Sequence, residues 1–310
     1  MGTFVSIGNC TQNFSRLLDE VKRIADQLPQ PIVVQHGRSA FSSDTISHFD
    51  FTDEAGFLKC LSECDVFISH AGGGSVFSAI KLGLKPVVVP RRKTFAEHVD
   101  DHQVAFAEEL ARQGKIVPVF DIGELAAATA FAQAHPELPT AGEQSEDATL
   151  AVHDAIAHFA PRADDAVCLV TPSGGHLTEI RALKSVYEGH PHHFILNVEI
   201  VQSPDMFGRT TVITVSQRDW KFFVNIIEAF QILRRQKPKV ILTTGGGFSV
   251  AFTLVGKLLR IPTVYIETVG KVNIPTVTGR FMYHLADRFF YQWPYLEKFF
   301  PKGRYIGLIL

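Results

Sequence analysis

Two glycine triplets are the residues of this chain whose spacing best fits chemistry. Gly72, Gly73 and Gly74, with Ser75 behind them, close the apolar run VFISH, and Gly245, Gly246 and Gly247 close VILTT. After each triplet the apolar residues switch to a helical period. Glycine lets a backbone turn tightly and come close to a ligand. The free N–H groups at the start of the following helix, with the helix dipole behind them, hold phosphate oxygens. A related junction lies at Ser173-Gly174-Gly175-His176. Two phosphate-binding units in opposite halves predict two domains facing across a cleft, each with a phosphate-bearing molecule. A transferase between two phosphorylated partners needs that arrangement.

The elements that must position these residues alternate along the chain. Strand-like runs such as TFVSI, PIVVQ, VFIS and PVVVP recur in the first half, and AVCLVT, KVILTT and TVYIE in the second, with helix-like stretches between. Apolar strands separated by helices predict parallel sheets covered on both faces. The polar, proline-containing stretch PELPTAGEQSEDAT, residues 136–149, reads as a linker or exposed loop. The fold class is α/β with two Rossmann-like domains, residues 1–160 and 164–310.

At 310 residues and 46% hydrophobic content the chain has material for two cores. Its net charge of −2 hides an asymmetry. Residues 1–165 carry 13 Lys and Arg against 23 Asp and Glu, and residues 166–310 carry 17 against 9, a swing from −10 to +8. The basic half points to an anionic ligand or surface. The four cysteines form no CxxC pair, which fits a reduced compartment, and the first residues carry no charged leader. No uncharged run reaches the ~20 residues of a membrane-spanning helix. GxGxxG, Walker A, HExxH and GxSxG patterns are absent, which argues against dehydrogenase, P-loop, zincin and serine-hydrolase readings.

Several motifs in order then carry a resemblance. Residues 4–120, with FVSIGN, VVQHG, ISHAGGGSVFSAIKLGLKPVVVPR and EHVDDHQ, resemble the donor-binding PssE-type subunit of bacterial exopolysaccharide glycosyltransferases. They also resemble the catalytic subunit of the dolichol-linked N-acetylglucosamine transferase. Residues 167–310, with TPSGGHLTEI, KPKVILTTGGGFSV, TVYIET and TGRFMYHLAD, resemble the PssD-type partner that binds the lipid-linked acceptor. With its halves exchanged, the chain is similar to MurG-type transferases. The resemblance implies a GT-B fold, an inverting transfer from a UDP-sugar, and no metal or other cofactor. Two positions depart from it: Ser78 stands where a ribose-binding Glu is common, and Asn9 where a Thr is common.

On this resemblance Gly8, Asn9, His70, Gly72, Gly73, Gly74, Ser75, Arg91, Arg92, His102 and Gln103 form the donor site. Asp100 and Asp101 either cap a helix or contact substrate. Arg91, Arg92 and Lys93 beside the expected sugar pocket predict glucuronic acid as the donor sugar and a β-linked product, since an arginine fork matches a carboxylate in two places, with diphosphate binding or a solvated loop as the alternative. Ser173, Gly174, Gly175, Gly245, Gly246 and Gly247 would hold the acceptor diphosphate. His176 is the favoured base and Glu267 the competing one, because imidazole suits proton removal near neutral pH. The run from Arg218 to Lys237 reads either as a core helix or as a helix lying on an anionic bilayer, with Trp220, Phe222 and Phe223 entering the headgroup boundary and Arg234 and Arg235 at its end. The expected partners are a UDP-sugar, an undecaprenyl-diphosphate-linked saccharide and the cytoplasmic face of the inner membrane, held peripherally, not nucleic acid. A UDP-sugar epimerase and a non-catalytic nucleotide-sugar-binding subunit are the alternatives.

Overall fold

The computed structural model describes residues 2–139, 144–197, 206, 209–213 and 221–309; in the helices that begin at 144 and 221, side chains are described from 148 and 222 onward. The chain divides into two units, Met1–Ala141 and Gly142–Leu310.

The first unit runs β1 (Gly2–Ser6), α1 (Ser15–Arg23), β2 (Ile32–Gln35), β3 (Ser47–Phe49), α2 (Glu54–Ser62), β4 (Cys64–His70), α3 (Gly73–Lys81), β5 (Val87–Val89), α4 (His102–Arg112), β6 (Val117–Pro118) and α5 (Leu125–Ala134). Its described strands pair in parallel in the order β3-β2-β1-β4-β5-β6. Strand side chains alternate between faces, and both faces are buried. Val5, Val66 and Ile68 pack with Leu17, Leu18 and Val21 of α1 on one side. Phe4 and Phe67, stacked at 5.4 Å, pack with Leu61 and Ala79 on the other. Strand order reverses between β1 and β4, and the crevice beyond the carboxyl ends at such a reversal is where open α/β sheets bind ligands.

The second unit runs α6 (Gln144–Phe159), β7 (Val167–Val170), α7 (Gly175–Ala182), α8 (Lys184–Tyr187), β8 (His192–Leu196), β9 (Thr210–Val212), α9 (Lys221–Gln236), β10 (Val240–Thr243), α10 (Gly247–Leu259), β11 (Thr263–Ile266), α11 (Val277–Leu285), β12 (Arg288–Tyr291) and β13 (Arg304–Tyr305). Its described strands are parallel in the order β13-β12-β11-β10-β7-β8-β9, reversing between β7 and β10. One face carries α6 and α7 against Val167, Leu169, Leu242 and Val264. The other carries α9 and α10, through Ala229, Leu233, Phe252 and Val255, against Val170 and Ile241.

One boundary moves. The sequence assigns residues up to 160 to the first domain, but α6 packs in the second. Ala148, Ala151, Val152 and Ala155 recur at helical spacing and are buried with Val167 and Leu169. The helix also begins at Gln144, inside the stretch read as linker. Its polar first turn hides it from a composition reading.

Candidate functional site

In the first unit the reversal point is built around His70. Gly8 has φ +72°, and a Cβ added there would stand 2.4 Å from His70 Cε1. A Cβ on Gly72 would stand 2.2 Å from His70 Nε2. Both glycines are therefore required by the same imidazole. Burial, then the Arg91 charge, pulls the His70 pKa down to about 3, so the ring is neutral. Its Nδ1 lies 3.4 Å from the Ser6 carbonyl. His70 is thus a neutral wedge between two glycine turns. The N-terminus of α3 follows, with Gly72 as its N-cap and no side chain capping it. The N–H groups of Gly73, Gly74 and Ser75 are the ones a helix leaves unpaired in its first turn. Asn9 is exposed beside Gly8.

The reading of Arg91 is corrected. It is fully buried, with Nη1 donating to Gln12 O at 2.9 Å and Glu97 O at 3.3 Å, and Nη2 donating to Ile7 O at 2.9 Å. Its guanidinium carbon lies 4.5 Å from the Phe14 ring centroid. Arg92 donates from Nη2 to Phe120 O at 2.9 Å. No two-arginine fork stands open for a sugar carboxylate. Gln103 is buried, its Oε1 accepting from Arg91 N at 3.0 Å, so it braces the loop from the other side. Asp101 precedes α4 but makes no side-chain cap; its Oδ1 accepts from Lys93 N. Asp100 and His102 hydrogen-bond to each other, and both side chains remain partly accessible.

In the second unit the helices α7 and α10 open side by side at the β7/β10 reversal. Thr171 Oγ1 and Thr244 Oγ1 are 3.2 Å apart across it, and Thr244 Oγ1 donates to His176 O at 3.2 Å. Ser173 N donates to Asn197 Oδ1 at 3.2 Å. Gly174 N-caps α7 and Gly246 N-caps α10, both at positive φ. At Gly246 a Cβ would lie 2.5 Å from Pro172 Cγ. A Cβ on Gly245 would meet Tyr265 OH at 3.3 Å and His176 Cε1 at 3.6 Å. The missing side chain thus leaves a niche flanked by a phenol and an imidazole, next to two helix N-termini.

Glu267 does not stand free at its strand end. It is fully buried and accepts from Tyr265 OH at 2.7 Å, Thr276 N at 2.6 Å and Thr276 Oγ1 at 3.1 Å. Thr276 in turn N-caps α11 by accepting from Gly279 N. The carboxylate therefore fastens the start of α11.

A second buried acid escaped the sequence reading. Glu179 lies three residues beyond His176 on α7 and accepts from Thr268 Oγ1, Val269 N at 3.2 Å and Gln292 Nε2 at 2.8 Å. The H-x-x-E spacing within HLTE was its one local signal. Burial pushes its pKa up to about 7 from 4.5. The folded chain keeps a proton that the unfolded chain loses, so this stabilisation is full below pH 4.5 and drains as the pH rises to about 7. Denaturant melts of the whole chain should show the second unit losing about 2–3 kcal/mol across that interval. Glu179→Gln should flatten the slope; an unchanged slope would place the titrating group elsewhere.

Comparison with known proteins now adds to the geometry. Residues 4–156 match the glycosyltransferase family 28 C-terminal domain, and residues 208–309 match the oligosaccharide biosynthesis protein Alg14 like family. The chain resembles both halves of one glycosyltransferase, fused. It is 26% identical over 184 residues to the UDP-N-acetylglucosamine transferase subunit ALG14 of Homo sapiens, covering 48% of this chain and 85% of that one. It is 40% identical over 82 residues to subunit ALG13 of Yarrowia lipolytica, covering 26% and 38%. It is 32% identical over 85 residues to the UDP-N-acetylglucosamine--N-acetylmuramyl-(pentapeptide) pyrophosphoryl-undecaprenol N-acetylglucosamine transferase of Lactococcus lactis, covering 27% and 23%. The two parallel α/β units are the pair of Rossmann-like domains of the GT-B class.

Proposed function

We propose that this protein is an inverting glycosyltransferase that moves N-acetylglucosamine from UDP to a saccharide on a polyprenyl diphosphate. The observation that carries the reading is the pair of strand reversals, each with glycine-bounded helix N-termini, in halves that match the glycosyltransferase family 28 C-terminal domain and the oligosaccharide biosynthesis protein Alg14 like family. Each half offers a seat for one diphosphate. UDP lies at α3 with the diphosphate on the N–H groups of Gly73, Gly74 and Ser75, and the acceptor diphosphate lies at α7 and α10. The charge is met by helix N-termini and positioned donors, so the transfer uses no metal. Inversion from an α-linked UDP-sugar gives a β-linked product, here for exopolysaccharide synthesis. The acetamido sugar is favoured over glucuronate because the relatives are named as N-acetylglucosamine transferases and because Arg91 is bonded away from any sugar-facing position.

The acceptor tail implies a membrane surface, and α9 is the element that fits one. Its apolar residues divide into two stripes. Ala229, Leu233 and Ile226 pack into the core, while Phe223 and Ile227 are 70% and 59% exposed, with Phe230 beside them. Phe222 is half-buried, Trp220 lies outside the described residues, and Arg234 and Arg235 are exposed at the helix end. On the neighbouring α10, Leu258 is 73% exposed next to Lys257. Among the described residues no helix is long and apolar enough to cross a membrane. A peripheral attachment at the cytoplasmic face follows as part of the proposal.

The test is one assay with anionic vesicles carrying polyprenyl-diphosphate saccharides from a membrane extract. Supplied in turn with labelled UDP-N-acetylglucosamine, UDP-glucose and UDP-glucuronate, the protein should pellet with the vesicles and label their lipid best from the first. Phe223→Ser with Ile227→Ser should reduce pelleting several-fold. Epimerised UDP-sugar without lipid label would favour an epimerase, binding without turnover a non-catalytic subunit, and a preference for UDP-glucuronate the other donor.

A further inference from the structure

The loop between β5 and α4, together with the first residue of α4, carries three metal-ligating side chains at alternate positions, His98, Asp100 and His102. The backbone brings both imidazoles to one carboxylate. His98 Nδ1 lies 3.4 Å from Asp100 Oδ1, and His102 Nδ1 hydrogen-bonds to the same oxygen. The two rings stand edge to face with centroids 4.6 Å apart. One donor atom from each residue falls within 4.8 Å of the others, and among the described residues this is the one group of three or more His, Cys, Asp or Glu side chains that does so. The neighbouring Asp101 points away, onto Lys93 N.

Both flanks of the loop are fixed. Glu97 is buried and holds Arg16 with two bonds, at 2.8 and 2.9 Å, while also accepting from Arg92 N. Gln103, on the other side, is tied to Arg91 N. The three ligands are therefore held in register by neighbours buried in the unit, with their own side chains 18%, 44% and 25% exposed.

We propose that His98, Asp100 and His102 form a binding site for a divalent transition-metal ion of the zinc class. A tetrahedral ion with ligand bonds of about 2.0–2.1 Å sets its donor atoms about 3.3 Å apart, the spacing already present between His98 and Asp100. Two imidazole nitrogens and one carboxylate oxygen suit zinc, cobalt, nickel or copper, whereas magnesium and calcium take mostly oxygen. Three protein ligands on an accessible loop leave a fourth position for water. The proposal does not depend on the transferase reading, and the ion has no part in the proposed transfer.

The experiment titrates the whole chain, stripped with a chelator and dialysed, with cobalt(II) and then zinc(II). The expected result is a visible cobalt band of four-coordinate intensity that saturates at one equivalent and is erased by zinc. His98→Gln and Asp100→Asn should each weaken binding at least about tenfold. Zinc well above its Kd should raise the wild-type Tm by roughly 5 °C and leave these variants unmoved. Since a variant could fail to fold, X-ray absorption on the zinc-loaded wild type gives a second reading. A nitrogen and oxygen shell with outer scattering from two imidazoles is expected. No cobalt band, a band that survives both substitutions, or a zinc shell lacking two imidazoles would overturn the proposal.

Discussion

His176→Ala should lower the rate of sugar transfer about 10²–10⁴-fold while leaving UDP affinity near its original value. In the proposed inverting transfer the acceptor hydroxyl loses its proton as it attacks, which puts the base in the half proposed to hold the acceptor. Two side chains there met that requirement from the sequence, and their surroundings now separate them. Glu267 already accepts three hydrogen bonds in a fully buried setting, and a fourth partner would have to displace one that fastens α11. His176 sits in the first turn of α7, half-buried, with its Cε1 3.6 Å from the vacant Gly245 Cβ position. Stopped-quench measurement of transfer, beside calorimetric titration with UDP, separates a chemical loss from a binding one. Glu267→Gln should mainly lower the melting temperature, because Thr276 N and Tyr265 OH lose part of their acceptor. Near-normal transfer by His176→Ala, with a stable but inactive Glu267→Gln, would move the base to Glu267.

The layout of the chain was legible because its signals are local. Val66–Ser69 and Val240–Thr243 are short β-branched runs ending in glycine triplets, and each became a central strand feeding a helix. The helix expected after Asp100 and Asp101 stands as α4, His102–Arg112. What sequence could not supply was the fate of polar side chains whose partners lie far away. Arg91 follows a buried strand within PRRK and reads as an open cation; its bonds to Ile7 and Gln12 carbonyls span 84 and 79 positions. Glu267 ends a strand and reads as available, yet a turn brings Thr276 back onto it from nine positions ahead. Packing against α10 divides the apolar residues of α9, taking Ile226, Ala229 and Leu233 into the core and leaving Phe223 and Ile227 outside. Local pattern determines which element a residue joins, and tertiary closure determines whether its polar atoms remain free.

Arg91→Ala should destabilise the first unit by about 3–5 kcal/mol and leave the donor preference of the surviving folded protein unchanged. The guanidinium joins three segments: the end of β1 through Ile7 O, the following loop through Gln12 O, and its own loop through Glu97 O. Removing it strands these carbonyls with no donor and opens space beside Phe14, and unsatisfied buried acceptors cost about 1–3 kcal/mol each. Lysine carries the charge but has a single head instead of a fork, so Arg91→Lys should fall between the wild type and Ala. Thermal melts of the full chain measure the loss, and competition between UDP-N-acetylglucosamine and UDP-glucuronate measures the preference. A variant that melts like the wild type but switches donor would return Arg91 to the sugar. The expected pattern, stability lost and selectivity kept, assigns it to holding Gly8 and the 91–97 loop in place around His70.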